Sequence, residues 1–451
     1  MPDSLAVFTS RMKDLFLTRR FFQLFGVCTG LFVLGFPIGW IFPLAKLVLA
    51  GALTLFFFDT YLLFSKKTKI AGERKLPKLL SLGDPNQVQI ILKNFSSLDL
   101  NLTIVDELPV QFQKRDFEIE KKIRAGETQL FSYELTPVER GEYNFGKIII
   151  YASTSWSLVQ RRFEINAGAD VGVFPSIIQM KKFELKAFSK TSRQEGIKKI
   201  RRLGHSYEFE QIKNYVQGDD YRSVNWKATG RRNELMVNQY EDERSQQIYC
   251  VIDKSRVMKM PFNGMSLLDY AINTSLVISN IALQKYDRVG LLSFSDIIGT
   301  VIKADRKSGQ LNKILNALYK EKEHPLEANY ELLYYASRKL ILHRSLIFLF
   351  TNFESTYALE RVLPILRRIN KFHLLIPVFF ENTEIKDFAT GEVHSLEGIY
   401  HQTVAQKFVS EKSQMVQQLQ QYGIQSILTR PEDLSLNAVN KYLELKARGL
   451  I

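Results

Sequence analysis

The chain is poor in the residues that build metal and redox centres. Cysteine occurs twice in 451 residues, at Cys28 and Cys250, with no pairing pattern. That excludes a disulfide scaffold and a cysteine zinc site. The six histidines, at positions 205, 324, 343, 373, 394 and 401, show no paired ligand spacing. Three glycine signatures are missing too: the dinucleotide Gly-x-Gly-x-x-Gly, the complete phosphate-cradling Gly-x-x-x-x-Gly-Lys-Ser/Thr, since Ile148 follows Gly146-Lys147, and the nucleophile elbow Gly-x-Ser-x-Gly. A dinucleotide fold, a P-loop ATPase and a serine hydrolase of that type are therefore disfavoured. Charge is nearly missing from one stretch. Between Phe21 and Phe64 only Lys46 and Asp59 are charged.

That stretch is about twice the ~20 apolar residues a helix needs to cross a ~30 Å hydrocarbon core. Pro37 and Pro43 flank a short break, which predicts a two-helix transmembrane hairpin over residues 21–64, with spans near 21–36 and 43–64. Trp40 in the break suits an interfacial anchor. A signal peptide fits less well, because a second apolar span follows at once with no small-residue cleavage site between them. A buried core hairpin is the other reading.

The formal charge of +14 resolves into three short segments. Residues 1–20 carry net +2, residues 65–80 net +5 and residues 181–202 net +7, which is the whole excess. Two of these bracket the apolar stretch, with Arg19 and Arg20 before it and Lys66, Lys67 and Lys69 after it. The positive-inside rule places both ends in the cytoplasm. Such flanks attract anionic membrane lipid by about 1 kcal/mol per basic residue. A nucleic-acid-binding face spreads its basic residues over a folded surface with stacking aromatics, so nucleic acid is not an expected partner. Segment 181–202 reaches back to the membrane, binds an acidic partner or is a solvated linker; the sequence leaves these open.

From residue 73 to 170 short alternating runs separated by turn residues predict an Ig-like β-sandwich. The runs fall at 88–92, 100–105, 129–135, 143–151 and 158–165. Residues 171–246 read as a basic linker followed by a distinctive segment. From Ile248 the pattern alternates apolar strands with helices, which predicts a mostly parallel, doubly wound α/β domain over 247–451. Ligands in such sheets sit at the carboxyl ends of the strands. Asp253-Lys254-Ser255 and Thr351-Asn352-Phe353-Glu354 lie at two of those ends.

The distinctive segment contains Tyr215, the turn Gly218-Asp219-Asp220, then Arg222, Trp226-Lys227-Ala228-Thr229 and a downstream Glu241. It resembles the signature of the DUF58 family, and the layout of anchor, sandwich, signature and α/β domain is similar as well. In the sandwich, Arg140-Gly141 resembles the family's Arg-Gly turn. Ser153-Thr154-Ser155-Trp156-Ser157-Leu158 replaces the Asp-Pro-x-Gly turn that often follows it. The resemblance implies a bacterial protein of the cytoplasmic membrane, its soluble domains in the cytoplasm. It also implies a C-terminal domain like that of von Willebrand factor A, and a non-enzymatic adaptor role beside a MoxR-type AAA+ ATPase in assembling or maturing protein complexes.

Physically, Gly218, Asp219 and Asp220 favour a tight turn, Asp220 and Arg222 suit an ion pair, and Trp226 suits an apolar anchor. The segment is then a docking or ligand surface, or a clasp tying the linker to the α/β domain. Asp, Arg and Trp so arranged suit folding as well as recognition, which favours the clasp. The rival function is a metal-dependent receptor acting through Asp253 and Ser255. The von Willebrand-type magnesium site that this rival needs is degenerate here. Val257 replaces a serine ligand, Asn352 replaces a carboxylate, no threonine ligand is assignable, and Glu354 is the nearby substitute. No cofactor is otherwise expected. A hydrolase built on Asp219, Asp220 and Asp253 lacks a phosphate cradle.

Overall fold

A computed structural model describes residues 13–65, 67–115, 117–188, 208–217, 219, 221–241, 245–391 and 395–450. The side chains at 186–188, 208–211 and 239–241 are outside the description. Lys66, Gly218, Asp220 and most of the basic segment 181–202 thus lie outside the described residues, and Glu241 is described in its backbone only. The chain divides into two compact units, Met1–Phe174 and Pro175–Ile451.

The first unit begins with strand β1, Leu15–Leu17. Two apolar helices follow, Arg19–Gly35 and Ile41–Phe64. Ten more strands complete the unit: β2 Ile70–Lys75, β3 Leu80–Ser81, β4 Asn86–Asn94, β5 Leu100–Asp106, β6 Glu118–Ile123, β7 Thr128–Leu135, β8 Gly141–Phe145, β9 Ile148–Ser153, β10 Val159–Ile165 and β11 Ala169–Phe174. They form a five-stranded sheet β1-β10-β9-β5-β6 and two three-stranded sheets, β2-β4-β7 and β3-β11-β8. Alternation decides what faces inward. Ile90 and Leu92 of β4, Phe131 of β7, Leu100, Leu102 and Ile104 of β5, and Ile148 and Ile150 of β9 meet in one core. The sandwich is larger than the sequence suggests at both ends. Leu15–Leu17, expected in a basic tail, pairs antiparallel with β10, and β11 joins β8 and β3 instead of starting a linker. The run 143–151 is two strands broken at Gly146.

The helices begin and end two residues or fewer from the expected spans. Gly35 lets them meet closely: a Cβ there would lie 3.1 Å from the Phe42 backbone. Ile41–Phe64, with 24 residues, is long and apolar enough to cross a membrane by length and composition; Arg19–Gly35 has 17. The far end of the longer helix is welded to the sandwich. Leu63 is buried in the sandwich core. Its carbonyl accepts from Arg161 at 3.0 Å, and that guanidinium covers the Phe64 and Phe163 rings. Asp59, one of the two charges in the apolar stretch, is fully buried. Its carboxylate accepts from Thr154 Oγ1 and from the backbone N–H groups of Leu158 and Val159 at 3.1 and 3.2 Å. The loop that departs from the family pattern is thus the socket for Asp59. Thr18, which caps the first helix, donates to the carbonyls of Ser157 and Leu158 in that same loop.

A second buried charge crosses the sandwich. Arg74 of β2 forms a two-pronged ion pair with Asp106 of β5 and donates to the carbonyls of Gly146 and Ala167. Tyr133 of β7 donates its hydroxyl to Asp106. Burial pushes that phenol well above its ordinary pKa, so it stays a donor.

In the second unit, helix Ile177–Phe188 is followed by strands β12 Glu208–Asn214 and β13 Met236–Glu241, with helix Trp226–Arg232 between them. Strand β14, Gln247–Asp253, opens the α/β domain. It leads through a small hairpin, β15 Pro261–Phe262 and β16 Met265–Ser266, into helix Leu267–Gln284. Strands β17 Arg288–Phe294, β18 Ile298–Asp305, β19 Leu346–Phe350, β20 Leu374–Phe380 and β21 Ile427–Thr429 complete a sheet of order β18-β17-β14-β19-β20-β21. All its pairings are parallel except β17–β18. Successive residues of β14 feed opposite faces. Ile248, Cys250 and Ile252 pack with helices Leu267–Gln284 and Leu434–Ala447. Tyr249 and Val251 pack with Tyr330–Leu340, Thr356–Phe372 and Leu396–Gln421. The doubly wound expectation thus matches the sheet, with β18 and helix Thr383–Thr390 as additional elements. Helix Ile177–Phe188, expected in a linker, packs on this domain through Met180 and through Glu184, which accepts from Asn280 at 2.8 Å.

Replacing Asp59 with alanine strands one hydroxyl and two amide donors in a buried socket. The Asp59→Ala chain should lose about 2–3 kcal/mol, read from denaturant melts in mild detergent. Asp59→Asn, which keeps one acceptor oxygen, should lose less.

Candidate functional site

The signature folds as an insertion between β12 and β13, which pair antiparallel from Glu208↔Glu241 to Asn214↔Met236. Its scaffold is mostly neutral hydrogen bonding, with one ion pair between Lys213 and Asp219. Asn225 caps helix Trp226–Arg232 by accepting from Ala228 N–H at 3.0 Å, and its amide donates to Asn238 at 2.7 Å. Thr229 donates to the Asn225 carbonyl at 2.9 Å and accepts from Met236 N–H at 3.0 Å. Asn233 closes the helix in the left-handed region, φ 56°. Asp219 accepts from Lys213 Nζ at 2.8 Å and from Val216 N–H at 2.9 Å; those two contacts, Lys213 first, hold its carboxyl below the usual range.

Trp226 is not the apolar anchor that its size suggests. It is 74% exposed and Tyr221 is 72% exposed, with Tyr215, Val216 and Leu235 exposed as well. Arg222 lies over the Tyr221 ring at 5.7 Å, and Lys227, Arg231 and Arg232 are on the surface. The segment therefore splits its residues by role. Asn225, Thr229 and Asn233 hold it together, while Tyr221, Trp226 and Lys227 face outward. The sequence reading weighed Gly218, Asp219, Asp220, Arg222 and Trp226 and passed over Asn225 and Asn233, although an Asn directly before a helix is a legible cap. The expected Asp220–Arg222 pair lies outside the described residues.

The two strand ends are brought together in a way the metal reading does not survive. Asp253 is fully buried. Its Oδ1 accepts from Ser255 N–H at 2.9 Å, and its Oδ2 accepts from Thr351 Oγ1 at 2.7 Å and Tyr330 OH at 3.4 Å. Burial pushes this carboxyl up, opposed by those donors. Tyr330 also bonds Thr351 at 2.7 Å. The sequence placed Thr351 at a strand end but not beside Asp253, and Tyr330 escaped it, since nothing in local spacing joins residues so far apart. Magnesium needs oxygen ligands with free lone pairs and room for water. Here three protein donors already occupy most of the carboxylate's acceptor sites. Ser255 Oγ is buried without a hydrogen-bond partner among the described residues, yet it is one hydroxyl only. Asn352 Oδ1 accepts from Lys412 Nζ at 3.1 Å, and Glu354 lies 3.8 Å from Arg256. Among the described residues no cluster of three or more His, Cys, Asp and Glu side chains is placed to hold a metal. The residues present do not fit a resident magnesium ion.

Millimolar magnesium should leave the melting temperature of the full chain unchanged, in the native protein and in Asp253→Asn alike. A rise of several degrees confined to the native protein would restore the metal site.

Residues 211–392 match the family described as "Protein of unknown function DUF58". The "Uncharacterized protein YeaD" of Bacillus subtilis (strain 168) is 25% identical over 123 residues, which is 27% of this chain and 30% of that relative. The chain thus spans about a third of that relative's length. Two solved structures share limited regions. The CARDB domain of a Pyrococcus furiosus protein covers 24% of this chain and 96% of its own, at 15% identity and TM-score 0.19. Proximal thread matrix protein 1 from the mussel byssus covers 46% of this chain and 47% of its own, at 12% identity and TM-score 0.27. The hairpin from Gln211 onward and the α/β sheet as far as residue 392 together form a DUF58 domain.

Proposed function

We propose that the chain is a non-enzymatic adaptor, anchored in the bacterial cytoplasmic membrane by a two-helix hairpin. It presents the signature hairpin to a MoxR-type AAA+ ATPase that assembles or matures protein complexes. One observation carries this reading: Tyr221 and Trp226 stand exposed on a segment whose other residues are fixed by hydrogen bonds. A large aromatic left in water on a rigid mount is what a docking surface needs, because little ordering entropy remains to oppose binding. Tryptophan, tyrosine and arginine are the residues that dominate such contacts.

The anchor is supported by the helix Ile41–Phe64, about 36 Å long at 1.5 Å per residue. Its ends carry exposed aromatics, Trp40 at one, and Tyr61 and Phe58, the latter against Trp156, at the other, as interfacial belts do. Arg19, Arg20, Lys67 and Lys69 gather at the Tyr61 end and suit anionic lipid on the cytoplasmic face. The α/β domain, with its parallel sheet and strand-end Asp253 and Ser255, is read as von Willebrand A-like.

Purification of the tagged full chain from its own membranes in mild detergent tests the adaptor. An AAA+ ATPase should co-purify, and Trp226→Ala should lower its recovery at least tenfold with the melting temperature nearly unchanged, since an exposed side chain adds little to stability. Recovery of no ATPase with folded bait, or undiminished recovery with Trp226→Ala, would overturn it.

A further inference from the structure

A cavity of about 180 Å³ opens at the carboxyl edge of the sheet, where α/β folds place ligands. Its walls are mostly apolar: Phe262 from the small β15–β16 hairpin, Phe380 at the end of β20, Ile385, and Phe408 and Val409 of helix Leu396–Gln421. One turn beyond Phe408 on that helix, Lys412 enters the same cavity. Its ammonium donates to Asn352 Oδ1 at 3.1 Å and to the Phe353 carbonyl. It lies 5.9 Å from the centre of the Phe379 ring. The third N–H of the ammonium has no protein partner among the described residues.

The charges around this lysine are arranged unevenly. Glu354 lies 3.8 Å from Arg256, Glu381 pairs with Lys386 at 2.8 Å, and Glu411 stands 4.0 Å from Lys407. Each neighbouring carboxylate therefore has another cation beside it. Lys412 is left with neutral acceptors only at hydrogen-bond distance. A desolvated cation of this kind is stabilised by an arriving anion more than an exposed one would be, because little water remains to screen the pair.

We infer that this cavity binds a carboxylate joined to a short apolar body, with the carboxylate on Lys412 and the apolar part against Phe262, Phe380 and Phe408. A short-chain fatty acid and the C-terminal residue of an apolar peptide share this chemistry. The cavity accommodates about one side chain and its terminal carboxylate. Burial lowers the Lys412 ammonium to about 8, while Glu354 and Glu411 act the other way. The cation is thus present at neutral pH and lost as pH rises through that value.

The test uses the full chain in nanodiscs of zwitterionic lipid, titrated calorimetrically with hexanoate, with acetyl-Ala-Leu bearing a free carboxylate, and with the amide of each. At least one acid should bind tenfold or more tightly than its amide. Which acid does so separates the free acid from the chain terminus. Lys412→Gln should erase the preference for acid over amide. Val409→Trp, which fills the cavity but keeps the lysine, should weaken binding at least tenfold. Between pH 7 and 9 the preference should shrink as the ammonium titrates. Equal binding of acid and amide, or no binding of either acid at millimolar concentration, would overturn the inference. So would a preference that persists in Lys412→Gln. Should that variant fold poorly, the Val409→Trp titration and the pH series decide the matter. The cavity is built from residues other than those of the signature hairpin, so loss of ATPase recovery and loss of acid binding are separate results.

Discussion

An ionised carboxylate leaves water only if the protein replaces the hydrogen bonds that water gave it. Four of the six aspartates buried among the described residues meet that condition at a joint. Asp59 couples the apolar helix to the sandwich loop. Asp106 couples strands β2, β5 and β7 through Arg74 and Tyr133. Asp253 ties the end of β14 to Thr351 beyond β19 and to Tyr330. Asp287 accepts from Gln246 N–H, Tyr442 and Lys446, and so fixes the last helix beside the start of the sheet. Apolar burial supplies most of the driving force for folding. It is non-directional, however, and tolerates sliding. A carboxylate with two or three named donors does not.

The same condition governs what the carboxyl edge of the sheet can do. Because Thr351, Tyr330 and the Ser255 N–H hold Asp253, that aspartate is a structural pin with little ligand capacity to spare. The cation lining the cavity of this edge is the ammonium of Lys412, delivered by a helix that arrives much later in the chain. An ammonium differs from a metal ion in kind. It donates hydrogen bonds, titrates, and tolerates apolar walls that a hydrated divalent ion would not. The signature hairpin follows another logic. Its scaffold is amide and hydroxyl groups and the Lys213–Asp219 ion pair at a surface, so its aromatic residues are not needed to hold it together. That is why Trp226 can stay in water.

Most of the architecture was readable from periodicity, because strands that alternate and helices that carry one apolar stripe advertise the face they bury. The order of strands and helices after Ile248 belongs to that class, as do the central runs of the sandwich. What periodicity could not reveal were pairings settled elsewhere in the chain. Leu15–Leu17 is too short to show a period and becomes a strand only because β10 offers it an edge. Thr351 was legible as a strand-end residue and Tyr330 was not, but only the fold sets both beside Asp253. Trp226 misled for a simpler reason. Size and apolarity predict burial on average, but the signature's own caps already satisfy the segment, leaving nothing for the indole to fill. Asp59 was conspicuous in the sequence as a lone charge in an apolar helix, yet its partners lie in a loop nearly a hundred residues away.

Asp59 also fixes how the anchor and the sandwich move. Leu63, four residues on, is part of the sandwich core, and Arg161 holds the Leu63 carbonyl while stacking on Phe64. Thr18 binds the same loop from the other helix. Both helices therefore enter the sandwich without a flexible linker. A helix so clamped transmits its tilt to the domain directly. With Ile41–Phe64 across a bilayer, the turn containing Phe58 and Tyr61 and the loop containing Trp156 must lie at one depth, because the Phe58 and Trp156 rings are 5.4 Å apart.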